Sequence, residues 1–189
     1  MSLVGPWLPF FAATSLVGGL LGALLLVRTS NTSFVQLLPW LMLVAAVTFT
    51  FGGVVTARLK GHTSNPFGAH TERPTLWTLL LQLVIATYGG YFGGGMGIMM
   101  LAIFAVTGMT DMHAMNGLKA ILAVAINGVA LVAFVAQGAV AWTPGLVMVA
   151  GGILGGYAGA AIARRLDERH VRAFAIVVAW AMTVYFFVR

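Results

Sequence analysis

Long uncharged apolar runs, separated by polar stretches, organise this chain. Trp7 to Val27 is the first run and Phe34 to Val55 the second. Each matches the roughly 20 residues that carry a helix across about 30 Å of hydrocarbon. Arg28 and the stretch Thr29 to Ser33 part them. A longer polar segment follows, Thr56 to Thr75, whose Asn65-Pro66 and Arg73-Pro74 steps mark irregular backbone. Later runs are Ala114 to Gln137, Pro144 to Ala163 and Val171 to Val188. The last is short and suited to start inside the charged stretch Arg164 to His170.

Leu76 to Thr107 is too long for one ordinary crossing. It is interrupted by Gly89-Gly90-Tyr91-Phe92-Gly93-Gly94-Gly95-Met96-Gly97. Each glycine costs a helix about 1 kcal/mol relative to alanine. The pattern predicts two shorter helices, Leu76 to Phe92 and Met96 to Thr107, joined by unwound backbone. Such backbone survives at membrane depth only against protein or a watery cavity. The expected fold class is an all-α integral membrane protein with about six hydrophobic segments, one of them broken.

An internal repeat is also visible. Gly18-Gly19-x-x-Gly22 matches Gly155-Gly156-x-x-Gly159 at an offset of 137 (155 − 18). The same offset pairs Arg28 with Arg165 and Phe34 with Val171. Residues 1–55 then read as the remnant of a first repeat, 56–75 as a polar loop and 76–189 as a complete second repeat. By this arithmetic the counterpart of residues 76–137 precedes residue 1, so the first repeat reads as incomplete. If the glycine-broken run returns to its starting side, Arg58, Lys60, Arg73, Arg164, Arg165, Arg169 and Arg172 gather on one face. Cytoplasmic loops carry such an excess, so the returning path is expected, and it inverts the two repeats relative to each other.

Composition strengthens this picture. The chain is 60% hydrophobic and 7% charged, against about 25% charged for soluble domains. A multi-pass protein of the cell membrane follows. There is no cysteine, which excludes disulfides and thiolate chemistry. The net charge of +6 sits mostly between apolar runs, facing lipid headgroups rather than nucleic acid. Met1 to Pro9 lacks the basic start of a signal peptide.

Lys119 carries the sharpest chemical signal, because it sits inside the run Ala114 to Gln137. A charge within a membrane segment is costly and points to a functional site, with snorkelling to the headgroups as the plain alternative. Asn116 lies one turn before it and Asn127 about two turns after, near the same face. One ammonium and neutral donors suit a small oxyanion; helix-helix hydrogen bonding is the plainer use of the two Asn residues. Gly93, Gly94, Gly95 and Gly97 let unwound backbone approach a ligand at the positive end of a half-helix. No strand precedes them, so they are not a nucleotide-binding loop. Gly151, Gly155 and Gly159 follow the small-xxx-small pattern of closely packed helices. Asp111 and His113 read as an ordinary loop pair, and His62, His70 and His170 lack metal-ligand spacing. No cofactor is expected.

At these residues the chain resembles the sulfite exporter TauE/SafE family. The run Gly89 to Gly97 is similar to its glycine-rich signature, and Met115-Asn116-Gly117-Leu118-Lys119 to its Asn-x-x-Lys segment. Asn127 and the Gly138 to Trp142 turn resemble its following helix and loop. The resemblance implies a two-module permease for sulfite, sulfonates or related small anions. It places Asn116, Lys119 and the Gly93 to Gly97 backbone near the substrate path. The family's first glycine-rich helix and the helix after it have no counterpart in this sequence. A non-transporting scaffold or partner subunit is the competing expectation. A coupling ion and a homo-oligomer are left open.

Overall fold

The structure, a computed structural model, describes residues 4–61, 75–107, 109 and 111–188. These form α1 (Val4–Arg28), α2 (Asn31–Gly61), α3 (Leu76–Tyr91), α4 (Met96–Val106), α5 (Met112–Ala136), α6 (Trp142–Ala163) and α7 (Glu168–Val188). No strand occurs among the described residues. Five helices are long and apolar enough to cross a membrane, and α3 and α4 are the shorter halves of the broken segment. The six-segment expectation therefore holds, and the chain is an all-α, multi-pass membrane protein. The largest boundary shift is in α2, which continues past Val55 to Gly61. Ala57, Arg58, Leu59 and Lys60 are all good helix formers, so polarity alone does not end the helix. His62, His70, Glu72 and Arg73 lie outside the described residues. α7 does begin within the charged stretch, with the Asp167 carbonyl accepting from the amides of His170 (2.9 Å) and Val171 (3.3 Å).

Residue pairings give the direction of each helix. Gln82 of α3 donates to Ser15 of α1 at 2.9 Å. Seven residues on in α1, Gly22 lies against the Thr87 carbonyl and Gly90. α1 and α3 therefore run parallel. α5 runs with them, since Gly19 faces Ile126 and Ala23 clusters with Ala130 and Ala133. α4 runs the other way. Its first residue, Met96, lies against Gly89, while Phe104 near its end stacks edge-on against Phe11 at 5.6 Å. The broken segment is thus a hairpin that turns back inside the bundle, as the loop charges led us to expect.

Small residues make this arrangement possible. A Cβ on Gly18 would stand 2.6 Å from that of Ala86, and one on Gly19 would stand 3.1 Å from the Ile126 Cα. Lipid is as apolar as leucine, so helices in a membrane gain by close van der Waals packing rather than by leaving water. The glycines of α1 supply that closeness against α3 and α5 at once. The inner faces of α4 and α5 add a core of Met96, Met100, Phe104, Met115, Leu118 and Leu122.

α7 packs on α2 in antiparallel fashion. Trp40 meets Phe187 edge-on at 5.4 Å. Arg172 donates to the Thr50 carbonyl at 3.1 Å, and the Trp180 indole donates to the Thr50 hydroxyl at 3.0 Å. α6 stands apart. It buries no residue, and its glycines at 151, 152, 155, 156 and 159 meet no atom within 4 Å.

Candidate functional site

The site is assembled where the broken segment turns. α3 ends at Tyr91, with the amides of Phe92 (2.8 Å) and Gly93 (3.2 Å) both donating to the Tyr88 carbonyl. Gly93 and Gly95 have φ of 84° and 77°, the left-handed region that side chains other than glycine resist. Gly95 then caps α4, its carbonyl accepting from Ile98 and Met99 at 3.0 and 3.3 Å. The Gly97 amide is in none of the backbone pairs across the turn. Tyr88 holds the unwound backbone in place: its hydroxyl donates to the Gly94 carbonyl at 2.7 Å and lies 3.3 Å from the Leu41 carbonyl of α2.

α5 brings the polar side chains to this turn. Asp111 starts the helix by accepting from the His113 amide at 2.9 Å, an N-cap that satisfies an otherwise orphaned donor. The solvated-loop reading of these two residues thus has a specific form. On the next turns Asn116 donates to the Met112 carbonyl at 3.0 Å. Its side-chain oxygen accepts from the Lys119 ammonium at 2.9 Å. The Lys119 stem crosses the first turn of α4, where a Cβ on Gly97 would stand 3.2 Å from its Cδ. Glycine at 97 therefore leaves the room that the lysine stem occupies.

Lys119 has no carboxylate partner among the described residues. An acid–base contact found there, His170 Nδ1 with Asp167 at 3.7 Å, belongs to the start of α7 and not to this turn. The N-terminus of α4 beside Lys119 adds about half a positive charge. One edge of the turn is therefore positive twice over.

Asn127 lies elsewhere. It lines an open cavity of about 300 Å³ with Gly89, Gly90, Tyr91, Phe92 and Phe134, about 12 Å along the helix from Lys119. Its amide donates to the Ala123 carbonyl at 2.8 Å, which leaves its oxygen and its second amide proton for other partners. This cavity adjoins the carboxyl end of α3, where the helix dipole is negative. The structure thus brings Lys119, Asn116 and Gly97 together, and places Asn127 with Gly89 to Phe92 instead. Tyr88 escaped the sequence reading, because an aromatic in an apolar run looks like core. Its place one residue before the glycine run was the available signal. Among the described residues no cluster of His, Asp or Glu could hold a metal ion.

These features define a class: a multi-pass membrane protein built around a helix that unwinds and turns back inside the bundle. The family profile of the sulfite exporter TauE/SafE matches residues 3–186, and the chain belongs to that family. It is 28% identical over 171 residues to a probable membrane transporter protein of Haemophilus influenzae (strain ATCC 51907 / DSM 11121 / KW20 / Rd). That match covers 88% of this chain and 62% of the relative's own length. No solved structure matches the chain.

Proposed function

We propose that this chain carries the anion-binding half of a secondary transporter, and that its substrate is a small sulfur oxyanion such as sulfite or a sulfonate. The observation that carries the reading is the Lys119 ammonium, without a carboxylate partner among the described residues and laid across the N-terminal turn of α4. Half-helix N-termini pointing at anionic groups are a pattern by which transporters hold them, and here the half-exposed Lys119 adds a cation beside one. The oxyanion takes one hydrogen bond from Lys119, and others from the Gly97 amide and the spare Asn116 proton. Gly93, Gly94 and Gly95 let the backbone come within reach of it. In this reading the anion crosses chemically unchanged.

The carboxyl end of α3, beside Asn127, has the opposite polarity. Carbonyl oxygens and half-helix carboxyl ends suit a cation in transporters of this design, so a coupling cation fits there better than the anion does. Asn127 accordingly supports transport from the far side of the turn, and Lys119 and Asn116 hold the substrate. The name of the family and of the Haemophilus relative both agree with transport across the cell membrane.

The test is sulfite binding to the purified chain in detergent, followed by flux into proteoliposomes. Lys119→Gln is expected to weaken sulfite binding at least about tenfold, or roughly 1.4 kcal/mol, while circular dichroism stays the same. Equal sulfite affinity in a folded Lys119→Gln chain overturns the proposal.

A further inference from the structure

The arginines around the start of α7 are not all alike. Arg164 and Arg165 lie in the turn after α6, and Arg169 and Arg172 in the first turns of α7. Together they face Asp167 and Glu168, a net charge of +2 (4 − 2) with His170 neutral. Arg58 and Lys60 at the carboxyl end of α2 add two more positive charges.

Arg172 differs from the others in where its guanidinium goes. Trp40 meets Phe187 across the antiparallel α2–α7 seam. Ten residues along, Thr50 is therefore level with position 177 of α7. Arg172 donates to the Thr50 carbonyl at 3.1 Å, and Trp180 donates to the Thr50 hydroxyl at 3.0 Å from the other direction. The Arg172 head is thus drawn towards the hydrocarbon, since position 177 lies about 7 Å deeper along the helix. A snorkelling arginine extends the opposite way, to water. Thr50 and Arg172 both fall inside the apolar spans, Asn31–Gly52 and Arg169–Val188.

The carbonyl engages one of the five N–H donors of the guanidinium. Among the described side chains no carboxylate pairs with Arg172; the acid–base contact on α7 is that of His170 with Asp167. A cation at the edge of the hydrocarbon is costly unless it is paired, and the remaining fork of donors matches a phosphate. Arg169, three residues earlier, brings a second charge to the same face. Trp180, 37% exposed, offers an apolar wall further in.

We propose that the α2–α7 seam binds an anionic phospholipid of the cytoplasmic leaflet, its phosphate on Arg172 and Arg169 and its acyl chain along Trp180. That leaflet is the one that presents anionic headgroups to basic segments.

The test is lipid retention by the purified chain. The chain in detergent is given equal amounts of phosphatidylglycerol and phosphatidylcholine, and bound lipid is read by native mass spectrometry. Phosphatidylglycerol is expected to be retained over phosphatidylcholine. Arg172→Gln should lower its retention about fivefold or more, with circular dichroism unchanged. Arg165→Gln removes the same charge from the same side, away from the seam, and should have a smaller effect. Equal losses in the two variants would reduce the preference to diffuse attraction by basic loops, and the site would be wrong. Equal retention of the two lipids overturns it as well. Displacement of the lipid by inorganic phosphate would assign the seam to a free oxyanion instead. If Arg172→Gln fails to fold, Arg172→Lys keeps the charge without the planar fork. It should still lose phosphatidylglycerol, and retention equal to that of the native chain counts against the site.

Discussion

Tyr88 is the residue on which the turn hangs. Its hydroxyl ties the Gly94 carbonyl to α3 and reaches α2. Removing it leaves a carbonyl at membrane depth without its donor, and a net hydrogen bond is worth about 1 kcal/mol. Tyr88→Phe is therefore expected to lower stability by about that amount. Amide exchange, read by mass spectrometry, should quicken at residues 93–97 and not in α7. Uniform exchange rates across both segments would show that the turn holds without the hydroxyl. The glycines separate just as sharply. Gly95 has φ of 77°, which costs an alanine roughly 1–2 kcal/mol. Gly117 is helical and has no atom within 4 Å of where a Cβ would go, so alanine there gains up to about 1 kcal/mol. Gly95→Ala and Gly117→Ala should shift the melting temperature in opposite directions. Shifts of the same sign would mean that the turn is not held in the left-handed conformation.

At the scale of elements, the break was legible and its direction was only partly so. A run containing Gly93-Gly94-Gly95 cannot continue a helix at low cost, so the two halves follow from the sequence. That α4 turns back depended on the balance of Arg and Lys between loops, a statistical signal rather than a local one. Lys119 and Asn116 were legible as a pair, because residues three apart on a helix are neighbours. Asn127 was placed with them for the same reason, and periodicity did put it near that face. Periodicity does not say what lies opposite. α5 passes first the amino end of α4 and then the carboxyl end of α3, so residues two turns apart meet opposite dipoles. Tyr88 was illegible because its role depends on two carbonyls, one from α2, which is 47 residues away in sequence. The end of α2 was misjudged because charged residues with good helix propensity carry a helix beyond the hydrocarbon.

At the scale of the molecule, the pairings divide the loops between two sides. α1 starts on one side and ends with Arg28 on the other. α2 returns, and its carboxyl end carries Arg58 and Lys60. The α3–α4 hairpin turns back, so Asp111 lies on the starting side with Arg164, Arg165 and Arg169. Ser30 and Gly138 lie on the far side. Cytoplasmic loops carry an excess of basic residues, so the starting side is expected to be the cytoplasmic one. A straight crossing of the broken segment would exchange the sides of Asp111 and Gly138 while leaving Ser30 alone. Single cysteines at these positions distinguish the two paths in whole cells treated with a membrane-impermeant maleimide. Ser30→Cys and Gly138→Cys are expected to react from outside. Asp111→Cys and Arg165→Cys should react only after the membrane is permeabilised. Asp111→Cys labelled from outside would mean that the segment crosses. Lys119 and the amino end of α4 would then no longer face each other, and the anion site would lose its basis.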